Sequence, residues 1–402
     1  MIYLDHAAAT PVDPKVAKAM APYNSIKFGN PSALYQLGRQ SRQAIEDSRH
    51  QVASILGCSP EEVIFTAGGT ESDNIAIFGV MNQFLSDPSK YHCITSNIEH
   101  PAVLKSFKRL EQLGFDLTYI PVDKYGLIQP DEVMKALKPN TVLISLIYAN
   151  NEIGTIQPIS EISHIIKNYR HIQQLDTLSK NPIYPILHTD ACQAASYLDI
   201  KVNNLGVDMM TLNGSKIYGP KQSGILYKNK NINLSPMLYG GMQENGIRPG
   251  TENTGAIVGF SSALKLAVKN KNKQNQRLEK LRHYLTMELI KIPDTILNGH
   301  PEKRLPNNAN ISFLGVEGES IVLKLDAKDI YVSTGSACHS SSLEPSHVIL
   351  ALEPKNFERA HSSIRFSLGR STTRQQIDRL LKILPKILKD LRQISAIHHG
   401  NT

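Results

Sequence analysis

The sequence is poor in aromatic residues. It contains no tryptophan, and aromatic residues make up 6% of its 402 residues. No basic run is interleaved with aromatic side chains, the arrangement on which single-stranded nucleic acids stack. The net charge of +8 favours phosphates and acidic partners, but the basic cluster at residues 269–280 is typical of a solvated helix surface. We therefore expect no direct nucleic-acid binding.

Cysteines and long apolar runs are also scarce. The four cysteines are widely spaced and form no C-x-x-C pair: Cys58, Cys93, Cys192 and Cys338. This spacing argues against a zinc site or a disulfide framework and favours a reduced cytosol. The terminal pair His398-His399 lacks further metal ligands. The longest apolar run, residues 142–149, has the length of a strand, and the N-terminus has no basic region followed by an apolar one. We expect a soluble cytoplasmic protein without bound metal or membrane contact.

Strand-like and helical segments alternate through the first part of the chain. Helical patterns cover residues 33–56 and 71–85, and Gly57 stands where a C-cap would lie. Thr70 and Asp73 have the spacing of a capping box for the second of these helices. Strand-like runs lie at residues 63–65, 92–96, 117–121, 142–148, 187–190 and 207–212. The alternation predicts an α/β fold with a mainly parallel sheet flanked by helices.

The length of the chain predicts two domains. We expect an N-terminal segment at residues 1–14 that packs near the small domain. A large domain would follow at residues 15–257. A smaller α+β domain would cover residues 258–402, with a connecting helix and a mobile loop that carries a cysteine. Residues 168–185 are polar enough to predict a solvent-exposed loop.

Residues 208–224, DMMTLNGSKIYGPKQSG, place one lysine directly after a predicted strand. Asn213-Gly214 break the strand, and Gly219-Pro220 close the turn that carries Lys216. A lysine held on such a turn can be partly desolvated, which lowers its pKa and frees its lone pair for a carbonyl carbon. A surface lysine in a glycine loop is the alternative that this stretch leaves open.

Two further groups follow predicted strands upstream. Gly68-Gly69-Thr70 opens a helix, whose backbone N–H groups and positive end suit a phosphate. A simple turn and cap is the alternative. Asp190, 26 residues before Lys216, is placed to keep a pyridinium nitrogen protonated, or to act as a helix N-cap. A phosphate loop, an aspartate and a lysine at successive strand ends form the layout of a pyridoxal-phosphate enzyme.

Two polar motifs follow other strands. His100 is placed to stack on a cofactor ring and to shuttle protons, or to cap a helix. Asn150-Asn151 offers amides that suit a ring oxygen or a substrate carboxylate, or only the chemistry of a turn. Because the carboxyl ends of parallel strands meet at one edge of a sheet, we expect these groups to converge with Lys216.

The C-terminal part supplies a thiol and an arginine. Cys338 stands in VSTGSACHSSSLEP, a glycine- and serine-rich loop that we expect to be mobile. A thiol on an exposed loop can become a thiolate nucleophile, whereas Cys192 is interpreted as a small buried filler. The planar fork of Arg365 suits an α-carboxylate, and a surface salt bridge is the alternative.

These motifs are specific when they are taken together and in order. From the N-terminus the chain contains YLDHAAATPVDP, FGNPSALYQLGRQ, FTAGGTESDN, EHPAV, ANNEIG, TDACQ, KIYGPK, IRPGTEN, VEGES, STGSACHSSSLEPS and HSSIRFSLGR. Through them it resembles the cysteine desulfurases of the NifS/IscS type, in the group with an extended cysteine loop. These are pyridoxal-phosphate enzymes of fold type I, related to class-V aminotransferases. The resemblance extends over nearly the whole chain.

The resemblance implies a role for each candidate residue. Lys216 would bind pyridoxal 5'-phosphate covalently, and Cys338 would be the nucleophile that accepts the sulfur. The other residues would contact the cofactor or the substrate: His100 stacked on the ring, Asp190 at the ring nitrogen, Gln193 at the ring hydroxyl, Gly69, Thr70 and Ser215 at the phosphate, Thr251 at the phosphate of the neighbouring subunit, Asn151 at the cofactor and the substrate, and Arg365 at the substrate carboxylate.

The implied activity is the conversion of L-cysteine to L-alanine. The amine of Lys216 would remove the Cα proton, and the Cys338 thiolate would take the sulfur as a persulfide. The sulfur would pass to an acceptor protein, for iron–sulfur cluster assembly or for another sulfur-transfer pathway such as tRNA thiolation. A homodimer is also implied.

One departure from the family pattern leaves alternatives open. Asn213-Gly214-Ser215 stands where the family usually has Ser-Gly-His, so a histidine contact to the phosphate is lost. A related pyridoxal-phosphate lyase or aminotransferase, such as a selenocysteine lyase, is one alternative. A degenerate, non-catalytic assembly subunit is another, but the retention of Lys216, Asp190 and Cys338 argues against it.

Overall fold

The computed structural model describes residues 1–177, 184–335 and 345–394. The strands in these ranges are β1 (Ile2–Tyr3), β2 (Val63–Thr66), β3 (His92–Ser96), β4 (Asp116–Ile120), β5 (Thr141–Ile147), β6 (Ile186–Asp190), β7 (Met209–Asn213), β8 (Gly224–Lys228), β9 (Thr295–Asn298), β10 (Asn308–Phe313), β11 (Ile330–Tyr331) and β12 (Ser363–Ser367). The helices are α1 (Pro14–Ser25), α2 (Gln36–Leu56), α3 (Gly69–Met81), α4 (Pro101–Gln112), α5 (Pro130–Ala136), α6 (Ile159–Thr177), α7 (Val202–Leu205), α8 (Thr254–Leu289), α9 (Gly318–Asp326), α10 (His347–Leu352), α11 (Phe357–His361) and α12 (Arg374–Ile394).

The large sheet has seven strands among the described residues, in the order β2-β8-β7-β6-β5-β3-β4. The pairs from β7 through β4 are parallel, and β8 is antiparallel to both of its neighbours. Every residue of β5 and β6 is buried, because a parallel sheet needs helices on both faces. The prediction of a mainly parallel sheet flanked by helices is confirmed.

Neighbouring residues of each central strand point to opposite faces of the sheet and so enter two separate cores. Ile144 and Met210 join the core formed with α1, α2, α6 and α8. Leu143 and Met209 join the core formed with α3 and α4. The predicted helix end at Gly57 is confirmed, since Gly57 adopts φ +72° and caps α2.

The C-terminal part forms a smaller antiparallel sheet in the order β12-β10-β9, packed against α8, α9 and α12. The 36-residue helix α8 runs from the first core, at Phe260, to this second core, at Leu285. Its middle, residues 269–280, is a largely exposed helix surface, as predicted. Despite its length, neither α8 nor any other described helix is apolar enough to cross a membrane. The domain boundaries stay predictions.

The loop predicted at residues 168–185 is wrong in its first half. Helix α6 continues to Thr177, because Ile159, Ile162 and Ile166 form a buried stripe that anchors it to the sheet. Two of the polar residues that suggested a loop, Asn168 and His171, lie on the exposed side of this helix. Residues 178–183 lie outside the described ranges.

Candidate active site

Lys216 lies on a tight turn at the end of β7. A 3₁₀ turn covers Gly214–Lys216, and the Asn213 side chain caps it by accepting hydrogen bonds from the Ser215 N–H and O–H groups, both at 3.0 Å. Tyr218, two residues beyond the lysine, has φ +65°, a strained value for a residue with a Cβ. The Lys216 side chain is half-buried, and its amine donates a hydrogen bond to the Ala8 carbonyl.

Asp190 and His100 meet near Lys216, as the sheet topology predicts. Asp190 ends β6, the parallel neighbour of β7, and its Oδ1 accepts the Cys192 N–H at 2.9 Å. His100 follows β3 at the start of α4. Side-chain nitrogen or oxygen atoms of His100, Asp190 and Asp73 lie within 4.8 Å of one another.

The ring of His100 is neutral at ordinary pH. Burial lowers the pKa of His100, and the charge of Lys216 lowers it further, whereas Asp190 raises it. Its Nδ1 accepts the Ala102 N–H at 3.1 Å, so the proton of the neutral ring is carried by Nε2. The helix-cap interpretation of His100 is therefore confirmed, and its stacking on a cofactor ring stays a prediction.

The predicted capping box at Thr70 and Asp73 is wrong. Gly68 is the N-cap of α3, without a side-chain cap, and Asp73 is 1% exposed and points toward Asp190. The sequence carried a signal for this: Asp73 shares a helical face with Ile77 and Val80, which are buried.

The N-terminal segment contributes contacts that the sequence did not predict. The Ala7 carbonyl accepts a hydrogen bond from Gln193 Nε2 at 2.9 Å. The Thr10 N–H and O–H both donate to the Ser215 carbonyl at 2.9 Å. Together with the contact of Ala8 to Lys216, these bonds attach the segment to the lysine turn.

Arg365 lies in β12 and is 2% exposed, so its salt bridge is not on the surface. Its Nη2 pairs with Asp5 Oδ1 at 2.8 Å, and its Nη1 donates to the Asn151 carbonyl at 3.0 Å. Nε is buried without a hydrogen-bond partner among the described residues. The guanidinium is thus held beside Asn151 with a donor left to satisfy.

A cavity of about 690 Å³ lies next to the lysine turn. The start of α3 and the turn line it, with Gly68, Gly69, Thr70, Asn213 and Ser215. The first N–H groups of a helix have no intrahelical partners and favour an anion. A Cβ on Gly69 would lie 2.7 Å from Cys192 Sγ, so only glycine allows this close approach.

The departure at Asn213-Gly214-Ser215 keeps polar groups at this cavity. Asn213 and Ser215 both line it, so an amide stands where the family usually has the serine and a hydroxyl stands where it usually has the histidine. Burial raises the pKa of the neighbouring Cys192 well above its ordinary value. Cys192 is therefore a thiol rather than a thiolate, although the residue is half-buried rather than buried, as the sequence had suggested.

The two remaining candidates lie at the edges of this arrangement. Thr251 is exposed and lines a smaller cavity of about 140 Å³ with Ala67. Cys338 lies outside the described residues. The residues on either side of its segment join the site: Gly335 accepts a hydrogen bond from Arg365 at 3.5 Å, and Ser346 donates one to Glu152 at 2.5 Å.

Comparison with known proteins shows which family the chain belongs to. The class-V aminotransferase profile matches residues 2–380. The chain belongs to the class-V aminotransferase family. It is 48% identical over 396 residues to the cysteine desulfurase IscS of Methanosarcina thermophila, covering 98% of this chain and 94% of that protein. It is 47% identical over 395 residues to IscS of Dictyoglomus turgidum, covering 98% and 96%.

Solved structures of family members have the same fold. A NifS-like protein, 33% identical, superposes with a TM-score of 0.87 and covers 97% of this chain and 100% of its own. A structure of SspA in complex with cysteine, 34% identical, has a TM-score of 0.77 and covers 92% and 99%. The predicted resemblance to the NifS/IscS type and the fold class are confirmed.

The family uses pyridoxal 5'-phosphate, which confirms the predicted cofactor. The residues of this chain fit that group. The cavity offers helix N-terminal amides for a phosphate, and Asp190 and the Lys216 amine stand at the ends of adjacent strands.

Glu99, beside His100, makes the stability of the fold depend on pH. Its Oε1 accepts hydrogen bonds from the Ser96 O–H at 2.6 Å and the Ile147 N–H at 2.9 Å, and burial raises its pKa to about 8. Glu99 is therefore protonated in the folded protein, and the stability associated with that proton is lost as pH rises from the unfolded pKa, near 4.5, through about 8.

We expect the Glu99→Gln variant to gain unfolding free energy relative to the wild type as pH rises from 5 to 8. The gain is at most about 1.4 kcal/mol per pH unit and levels off above pH 8. Urea unfolding of both proteins across this range measures it. Glu161→Gln, on the exposed side of α6, serves as the control, and parallel pH profiles for wild type and Glu99→Gln would contradict the prediction.

Proposed function

We propose that this protein is a cysteine desulfurase that converts L-cysteine to L-alanine and transfers the sulfur to Cys338. The observation that carries the proposal is the convergence of Lys216, His100 and Asp190 at the carboxyl edge of the sheet. The relatives at 48% and 47% identity are named cysteine desulfurases. They favour this activity over a selenocysteine lyase or a non-catalytic subunit.

The cofactor would be held by residues from separate elements. Asp190 would pair with the ring nitrogen, His100 would lie on the ring, and the Gln193 amide would meet the ring hydroxyl. The amides of Gly69 and Thr70 and the Ser215 hydroxyl would bind the phosphate. When bound, the cofactor supplies an electron sink that makes the Cα proton of an amino acid removable.

Lys216 would move that proton. Its amine lies on a short rigid turn and is oriented by the Ala8 carbonyl, so it needs little reorganisation to reach a proton nearby. Neutral His100 carries its proton on Nε2 and acts as a hydrogen-bond donor to the substrate or to its sulfur. The N-terminal segment is attached to this turn through the hydrogen bond that the Thr10 hydroxyl donates to the Ser215 carbonyl.

Asn151 and Arg365 would hold the substrate carboxylate. Arg365 is fixed between Asp5 and the Asn151 carbonyl, which leaves the buried Nε as a donor for an incoming carboxylate. The bound substrate would then lie beside Gly335 and Ser346, which stand close to the two ends of the segment that carries Cys338. The Cys338 thiolate would attack the substrate sulfur, and the Cβ–S bond would break as the S–S bond of the persulfide forms. The electron pair of the broken bond would stay with the substrate carbon, which takes up a proton and becomes the methyl group of alanine.

The Arg365→Lys variant tests the carboxylate site. Lysine keeps the positive charge near Asp5 but loses the planar fork. We expect KM for L-cysteine to rise about tenfold or more, with a smaller change in kcat, in steady-state assays of alanine formation. The matched control is Arg359→Lys, a buried arginine of the small sheet region that pairs with Glu353 at 2.8 Å. An equal rise of KM in both variants would assign the effect to stability instead.

The active form would be a homodimer. Large apolar side chains are exposed near the cavity, with Tyr239 89% and Met242 80% exposed, and Leu238 lines the cavity itself. Such side chains are typical of an interface. Thr251, which is exposed nearby, would reach the phosphate bound by the other subunit. Light scattering of the purified protein measures the mass of the assembly.

The sulfur would leave to an acceptor protein, an iron–sulfur scaffold or a sulfur carrier. The net charge of +8 favours an acidic surface on that acceptor. Cys338 can react only as a free thiolate, which persists in a reducing compartment. We therefore place the protein in the cytoplasm. Incubation of the persulfide form with candidate acceptors, followed by mass spectrometry of each, identifies the acceptor.

A further inference from the structure

Two carboxyl groups face each other where the ring nitrogen of the cofactor is expected. Asp73 is 1% exposed and Asp190 is 5% exposed, and oxygens of the two side chains lie within 4.8 Å of each other. Asp190 accepts a backbone N–H at 2.9 Å. Asp73 is hydrogen-bonded by Thr211, but its Oδ1 is buried without a hydrogen-bond partner among the described residues.

No positive charge compensates Asp73 among its described neighbours. His188 Nε2 lies 3.8 Å from Asp73 Oδ1, but burial lowers the pKa of His188 to about 4, so the ring is neutral. The hydrogen bonds of this ring are made to Ser145 at 2.8 Å and to Thr211 at 3.0 Å. Because Thr211 donates to Asp73, it accepts the His188 Nε2–H, and His188 has no proton to offer Asp73.

The two carboxyl groups cannot both be ionised at this distance in a dry environment. The Cys192 N–H donates a hydrogen bond that stabilises a negative charge on Asp190. No donor among the described residues stabilises a negative charge on Asp73 Oδ1, so Asp73 is the carboxyl group that takes the proton. Burial, followed by the charge of Asp190, raises the pKa of Asp73 well above its ordinary value. Both observations place the proton on Asp73.

We propose that Asp73 is a positioning residue that acts on the cofactor through Asp190. The pair shares one proton, which resides on Asp73, so that Asp190 alone carries negative charge opposite the ring nitrogen. Asp73 then lies beside Asp190 as a neutral group. Because it carries no negative charge, the protonation of the ring nitrogen depends on the charge of Asp190 alone. This inference rests on the proposed role of Asp190 at the ring nitrogen.

Other titratable groups surround the pair and need separate control. Glu99 and His100 approach from the β3–α4 connection, and Lys216 and Cys192 from the lysine turn and the end of β6. Glu99 also holds a proton below about pH 8. Experiments on Asp73 are therefore made in the Glu99→Gln background, where the carboxyl of Glu99 no longer contributes.

Two matched substitutions, Asp73→Asn and Asp190→Asn, test the proposal in the holoenzyme. The infrared carbonyl band of a protonated carboxylic acid is recorded at neutral pH, and the rate of pyridoxal-phosphate release is followed by absorbance after dilution. We expect Asp73→Asn to remove the infrared band and to change the release rate less than about threefold. Asp190→Asn should release the cofactor about tenfold faster or more, because it removes the charge.

The proposal is overturned if the infrared band survives in Asp73→Asn, or if that variant releases the cofactor as fast as Asp190→Asn does. It is also overturned if Asp190→Asn leaves the release rate unchanged. Should Asp73→Asn fail to fold, Asp73→Ser gives the same comparison. Neither readout uses cysteine, so a failure of this inference is distinguishable from a failure of the desulfurase assignment, which alanine formation measures.

Discussion

A Lys216→Ala variant is expected to form alanine from L-cysteine at least about 10³-fold more slowly than the wild type. The amine of Lys216 is proposed both to hold the cofactor covalently and to move the Cα proton, and its charge acts on both His100 and Cys192. The variant should also lose the visible absorption band that covalent attachment of the cofactor produces. Steady-state assays and absorption spectra of the purified protein measure the two effects.

Lys228→Ala is the matched control for this experiment. Lys228 is half-buried at the end of the adjacent strand β8, and its amine donates to the Ile232 carbonyl at 2.6 Å. Its removal costs a similar hydrogen bond but lies outside the site. We expect this control to keep the absorption band and the activity. A Lys216→Ala protein with the wild-type band and rate would refute the role of Lys216.

The Cys338→Ala variant should bind the cofactor normally and yet lose alanine formation. Removing a covalent nucleophile typically costs about 10⁴-fold or more in rate, whereas the groups that hold the cofactor lie on other elements. We therefore expect the absorption band to respond to added L-cysteine, while alanine and transferable sulfur fall below detection. Alanine is measured by chromatography and sulfur by reaction with a thiol acceptor.

Two other cysteines separate a specific loss from a general one. Cys58 follows the end of α2, and burial raises the pKa of its thiol to about 12. The Cys58→Ala variant should therefore leave the rate of alanine formation unchanged. Cys192→Ala examines the thiol that lies beside Asp190 among the described residues. If Cys192→Ala loses alanine formation while Cys338→Ala retains it, Cys192 is the nucleophile and the assignment of Cys338 is overturned.

The alternation of segments predicted the fold because parallel strands require long connections, which the chain supplies as helices. The same reasoning brought Asp190 and Lys216 together, since β6 and β7 are adjacent and parallel. It succeeded because this part of the site depends only on strand ends. Composition failed at residues 168–177, which continue α6 and of which Asn168 and His171 lie on its exposed side.

The contacts that sequence reasoning missed depend on tertiary packing. Asp5 and Arg365 lie at opposite ends of the chain and meet because the N-terminal segment forms a bridge with Ser367 beside β12. Nothing in either local sequence encodes that pairing. Asp73 was misread for the opposite reason: its local spacing fits a capping box, but burial against Asp190 decides its role.

The central claim is tested most directly by a single turnover with L-cysteine in the absence of reductant. The purified holoenzyme is mixed with L-cysteine, alanine is quantified, and the peptide that contains Cys338 is analysed by mass spectrometry. The desulfurase assignment predicts about one alanine per subunit and a peptide that is heavier by one sulfur atom. Release of pyruvate or free sulfide, with an unmodified Cys338 peptide, would contradict it and indicate a lyase.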